Sequence, residues 1–206
     1  ATLWDCVENI NDLMSCTGRV GSSMLAGSQL LVDISAVVQH DLKSGIQRVV
    51  RNILRELLQN KYLGYRVEAV YYHFETQQFR YARSFINQFL NLSPLYLSDD
   101  PVEARPGDIY LSLDLFYLIP GEEISRRWLQ FWRGRGVKIY HVLYDLMPIV
   151  LPHCFPADQV PLYNNWLKWI TRISDGVIAI SRSVADEYRA WLDQEQVAGV
   201  SRPNVG

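Results

Sequence analysis

Ser35, Ser44, Gly45, Arg48, Asp114, Asp145 and Ser181 are the residues whose types and positions could act on a ligand. The run Ser44-Gly45-Ile46-Gln47-Arg48 reads as the opening of a helix. Ser44 suits an N-cap, and Gly45 leaves room for a ligand to approach the backbone. The unpaired N–H groups and positive dipole end of such a helix favour an anion, and Arg48 in the first turn adds a cation able to hold a phosphate. A plain cap and turn accounts for Ser44-Gly45 taken alone just as well. Neither Gly-x-Gly-x-x-Gly nor Gly-Lys-Ser/Thr is present, so the sequence carries no dinucleotide or P-loop fingerprint.

The other candidates each stand at the end of an apolar run. Ser35 ends Leu30-Leu31-Val32-Asp33-Ile34, Asp114 ends the run from Asp108, Asp145 follows Val137 to Tyr144, and Ser181 follows Val177-Ile178-Ala179-Ile180. In open α/β sheets, ligands bind outside the carboxyl ends of the strands, so polar residues gathered there form a candidate ligand edge. Taken singly, Ser and Asp at such positions are also ordinary turn and capping residues. Asp145 opens Asp145-Leu146-Met147-Pro148, a loop too apolar to be a solvated spacer, which marks it for function. Asp33, inside its strand, reads as a structural hydrogen-bonding residue, and His141 as a satisfied core histidine.

These residues need a scaffold of alternating strands and helices. A helix follows Ser44, with Ile46, Val49, Val50, Ile53, Leu54, Leu57 and Leu58 on one buried stripe and Gln47, Arg48, Arg51, Asn52, Arg55 and Glu56 on the opposite face. The stretch between Ser35 and Ser44 reads as a polar loop. Arg66 to His73 and Gln78 to Ala82 form a hairpin turning at Glu75-Thr76-Gln77, and a short helix begins near Ser84. A strand runs from Asp108 to Asp114, a helix from Glu122 to Arg133 stopped by Gly136, and a strand from Val137 to Tyr144. Leu146 to Pro156, with Pro148, Pro152 and Pro156, reads as loop. Ala157 to Ile173 is helical, Val177 to Ile180 is a strand, and Ser183 to Leu192 is a helix capped by Ser181. Continuously apolar strands alternating with helices predict a Rossmann-like, doubly wound α/β domain: a mainly parallel sheet with helices on both faces. It is expected to occupy residues 29–200. Residues 1–28 read as a linker or a docked amphipathic helix, and 201–206 as the start of a linker to a C-terminal domain.

Composition narrows the class. In 206 residues, 49% are hydrophobic and 20% charged, which excludes general disorder, and a net charge of −2 gives no general attraction to nucleic acid. Cys6, Cys16 and Cys154 cannot all pair within the chain and match no zinc spacing, so a reducing cytoplasm and no metal are expected. The apolar stretch from Val137 to Phe155 is broken by Lys138, His141, Asp145, Pro148 and Pro152, so it does not read as a membrane span.

Leu31-Val32-Asp33-Ile34-Ser35, Ser44 through Ile53, Asp108 through Asp114, Tyr144 through Ile149 with Pro152 through Pro156, and Gly176 through Ala185 together resemble the family 4 glycosyltransferases. These are retaining sugar transferases of the GT-B fold, and the resemblance is to a bacterial group that assembles surface polysaccharides. It implies that this chain is the N-terminal, acceptor-side half, facing a donor-binding half across a cleft. Ser44, Gly45 and Arg48 would then meet the donor's diphosphate, Asp145 and Asp114 would be the catalytic pair facing the acceptor hydroxyl, and Ser35 and Ser181 would bind the acceptor. Many relatives have a histidine where this chain has Tyr144. The implied partners are a nucleotide-diphosphate sugar, used as co-substrate with no other cofactor, a saccharide or lipid-linked saccharide acceptor, and the second half of the protein. A lipid-linked acceptor would bring the enzyme to the inner face of the cytoplasmic membrane. Two rivals follow from the same residues: a non-catalytic scaffold or carbohydrate-binding domain of this fold, and a stand-alone nucleotide-binding protein.

Overall fold

The computed structural model describes residues 27–40, 44–59, 64–92, 98–115, 122–195 and 204–205. The expected docked helix within 1–28 and most of the 201–206 linker lie outside these residues.

The strands are β1 (Gln29–Asp33), β2 (Arg66–His73), β3 (Gln78–Tyr81), β4 (Ile109–Ser112), β5 (Lys138–Leu143), β6 (Gly176–Ala179) and the two-residue β7 (Asn204–Val205). They form one sheet in the order β3-β2-β1-β4-β5-β6-β7. Only β3 runs antiparallel, as the return arm of the hairpin with β2; every other pairing is parallel. β1, β4 and β6 are buried along their whole length. That is why their apolar residues run continuously instead of alternating: both faces of the sheet are covered.

The long helix α2 (Gly45–Gln59) covers one face, setting Val50, Ile53, Leu54 and Leu57 against Leu30, Val32, Leu111 and Val142. On the other face Leu129 and Trp132 of α4 (Glu122–Gly134) pack on Leu31, Tyr110 and Ile139. Tyr163, Trp166, Leu167 and Ile170 of α6 (Gln159–Ile173) join Val184, Ala185, Tyr188 and Trp191 of α7 (Arg182–Glu195) in a third cluster on Leu143, Val177 and Ala179. Each fully buried Leu, Ile or Val side chain here contributes about 1.5–3 kcal/mol. The sheet is thus the expected doubly wound one, with strand ends shifted by a residue or two from the sequence reading. Gly136, at φ +89, adopts the left-handed conformation that stops α4.

Three local expectations are corrected. The loop after Ser35 contains a helix, α1 (Ser35–Gln39), formed because buried carboxylates accept its first N–H groups. The proline-rich loop is likewise mostly helical: Met147–Val150 makes one turn, α5, with Pro148 at a position needing no N–H donor, and Pro152–Cys154 makes a 3-10 turn. Gln47, assigned to the solvent face of α2, is buried.

The short α3 (Arg83–Phe89) lies alongside α2, with the Arg51 and Arg55 guanidiniums over the Phe85 and Phe89 rings at 5.6 and 5.1 Å. After β1 the chain builds β2 on one side, then crosses back to build β4 on the other. The carboxyl ends of β1 and β4 therefore bound the topological switch point, where such sheets bind ligands.

Candidate functional site

At the switch point Asp33 and Ser112 are register partners, and Leu113 N–H donates to Asp33 O at 3.1 Å. The Asp33 carboxyl is wholly enclosed. Ser35 N–H and Ser35 Oγ donate to its Oδ1 at 2.9 and 2.5 Å, and the Tyr110 hydroxyl donates to Oδ2. Ser35 Oγ in turn accepts Tyr72 N–H at 2.8 Å. Burial pushes the Asp33 carboxyl above its ordinary range against the pull of these donors, and it pushes the Tyr110 hydroxyl well up, helped by the neighbouring carboxylate. Asp33 is the structural hydrogen-bonding residue its position suggested. Ser35 has no exposed surface, and its hydroxyl is committed to the same network.

Asp114, two residues beyond β4, is 4% exposed. Its Oδ2 accepts Val37 N–H at 2.7 Å and its Oδ1 accepts Leu115 N–H at 3.1 Å, with Ala36 N–H also directed at it. It anchors α1 to the end of β4. Burial raises its pKa to about 7, Asp33 adds repulsion in the same direction, and the backbone donors oppose both. Asp145, beyond β5, is half-buried. Its Oδ1 accepts Met147 N–H at 3.0 Å, opening α5, and its carbonyl accepts the Tyr163 hydroxyl at 2.5 Å. Ser181 caps α7, accepting Val184 N–H at 3.3 Å. Of the two candidate catalytic carboxylates, then, Asp145 reaches solvent and Asp114 does not.

The anion candidate is exposed. Ser44 Oγ accepts Gln47 N–H at 3.2 Å, the N-cap bond expected of it. Ser44, Gly45 and Arg48 are all at the surface, and a groove along α2 is lined by Ser44, Gln47, Arg48, Arg51, Asn52 and Arg55. A Cβ placed on Gly45 would meet nothing within 4 Å among the described residues, and Gly45 does not have positive φ. Neither packing nor backbone geometry within the described residues therefore requires glycine there.

The sequence reading missed Tyr110, Tyr72 and Gln47. Their roles depend on partners up to 77 residues away, and no local pattern signals them. His141 meets its expectation: buried, held near neutral form by a pKa lowered to about 3, and bonded through Nδ1 to Ser174 Oγ at 2.8 Å. Among the described residues no group of three His, Cys, Asp or Glu side chains is placed to hold a metal ion, and no helix is long and apolar enough to cross a membrane.

A mainly parallel sheet with its switch point between β1 and β4 and helices on both faces defines a Rossmann-like α/β domain, and the sequence comparisons point to bacterial glycosyltransferases. The chain is similar to three serotype-specific mannosyltransferases WbdA of Escherichia coli: 34% identical over 164 residues, 32% over 168 and 31% over 168, which is 80–82% of this chain. It spans about a fifth of the length of these curated relatives, 19–20%. No protein-family profile matches it.

Proposed function

We propose that this chain is the acceptor-side domain of a retaining bacterial glycosyltransferase that extends a surface polysaccharide from a nucleotide-diphosphate sugar. The names of its relatives make an activated mannose the first donor to test. The open face at Gly45 carries this reading. A helix N-terminus with its cap in place, a glycine that nothing among the described residues demands, and Arg48 in the first turn fit a diphosphate approaching the backbone. Ser44, Gly45 and Arg48 hold that diphosphate, which stabilises the leaving charge. Asp145 faces the acceptor hydroxyl from the end of β5, with Ser181 at the neighbouring strand end. Asp114 and Ser35 support the edge from below.

A lipid-linked acceptor would bring the protein to the cytoplasmic membrane surface. The enclosure of Asp114 and Ser35 favours one second reading, a carbohydrate-binding scaffold of the same fold in which no carboxylate does chemistry.

The test is titration with pyrophosphate. Gly45→Ala places a methyl group in open space and replaces glycine by a better helix former, so its melting temperature should hold or rise while pyrophosphate binding weakens. Arg48→Ala should weaken binding roughly tenfold, the loss of about one charge-assisted contact. Unchanged binding in both variants would remove α2 from the site.

A further inference from the structure

Gln47 is where α2 departs from its own pattern. It lies among the arginines and asparagine of the polar face, yet it is 5% exposed. Its Nε2 donates to the His40 carbonyl at 2.5 Å, while its own N–H is held by Ser44 Oγ at 3.2 Å. Its Oε1 is buried with no hydrogen-bond partner among the described residues. A side chain selected for stability alone would not leave that acceptor unpaired, since a buried acceptor without a partner bears the full cost of its lost hydration. The bond to His40 completes a chain of contacts. Asp114 holds the start of α1 through Val37 N–H, Gln39 Nε2 ties its end to the Tyr72 carbonyl at 2.7 Å, and Gln47 ties the His40 carbonyl just beyond it to the first turn of α2.

We infer that Gln47 is a positioning residue: it locks the first turn of α2 to α1, so that the Gly45 backbone and Arg48 are presented to a diphosphate in one fixed arrangement. This rests on the reading of that turn as the phosphate site. Preorganised donors bind an anion more tightly than donors that must first be ordered. Gln47 does this through the His40 carbonyl, its Nε2 committed to that bond and its Oε1 enclosed.

The experiment compares the wild-type chain with Gln47→Met by following the Gly45 amide resonance as pyrophosphate is added. Met keeps length and helix propensity and removes both the donor to His40 and the orphaned acceptor. The expected result is a melting temperature close to wild type, because the lost bond to His40 and the removed orphan acceptor offset each other, with the Gly45 titration midpoint displaced about tenfold to higher pyrophosphate. A variant that titrates like wild type overturns the inference. Should Gln47→Met fail to fold, amide exchange in the wild-type chain decides: pyrophosphate should slow exchange of the His40 N–H, bonded to the Ala36 carbonyl within α1, and an unchanged rate overturns the inference. A wild-type chain whose Gly45 resonance ignores pyrophosphate, with Arg48→Ala behaving identically, removes the phosphate site itself and the inference with it. Failure confined to Gln47→Met leaves that site standing.

Discussion

At the Asp114 carboxyl, burial outweighs the backbone donors and moves the pKa from 3.8 to about 7. Between those values the folded chain keeps a proton that the unfolded chain has lost. Stability from this group is therefore full below about pH 4, falls as pH rises through the window, and is flat above it. Asp33, shifted the same way by burial, adds to the fall. Asp114→Asn should make the decline between pH 5 and 7 shallower by up to about 1.4 kcal/mol per pH unit, read as urea midpoints across that range. A variant as steep as wild type would mean that Asp114 stays ionised, held by its three amides. The sequence places a carboxylate at the end of an apolar run but says nothing of whether it faces solvent. Burial of Asp114 depends on α1, whose residues lie 77 positions earlier.

Among the elements, α2 was the most legible, because its apolar residues recur at helical spacing and Ser44 supplies its cap. Ser44→Ala removes the acceptor of the Gln47 N–H and should cost about 1 kcal/mol, measured as a shift in urea midpoint without change in its slope. The same local logic found the β2–β3 turn at Glu75–Gln77, the stop at Gly136 and the cap at Ser181. It failed for α1 and α5. These helices are too short to show a period, and each is nucleated by a side chain from outside it: Asp33 and Asp114 for α1, Asp145 for α5. The Gln47 error has the same origin. A glutamine between polar neighbours reads as solvated unless the carbonyl it reaches is known.

At the scale of the molecule, the two ends of the sheet are built differently. At the amino ends of β1 and β4, Asp108 accepts Gln29 N–H at 2.7 Å and Gln29 Nε2 at 3.0 Å, while Gln29 Oε1 accepts from Arg66 and Tyr81 at 3.0 and 2.8 Å. This polar knot closes that end, and the carboxyl end carries the candidate site. Among the described residues, that end offers the exposed turn from Ser44 to Arg48, and of its two candidate carboxylates only Asp145 has solvent access, while the resemblance implies that the donor is bound by a second half. The isolated chain should therefore show no transfer from a labelled nucleotide sugar to a saccharide acceptor; measurable turnover would assign both halves of the reaction to this domain.

The place of β1 sets the order in which such a chain can mature on the ribosome. Of the described strands β1 is made first, yet it lies in the interior of the sheet, between β2 and β4. Until residue 112 has been made, one side of β1 has no partner strand, and a row of backbone N–H and C=O groups around the apolar Leu30-Leu31-Val32 stays open to mispairing. Nascent chains of this domain therefore pass through a window in which the free edge of β1 is satisfied by water alone.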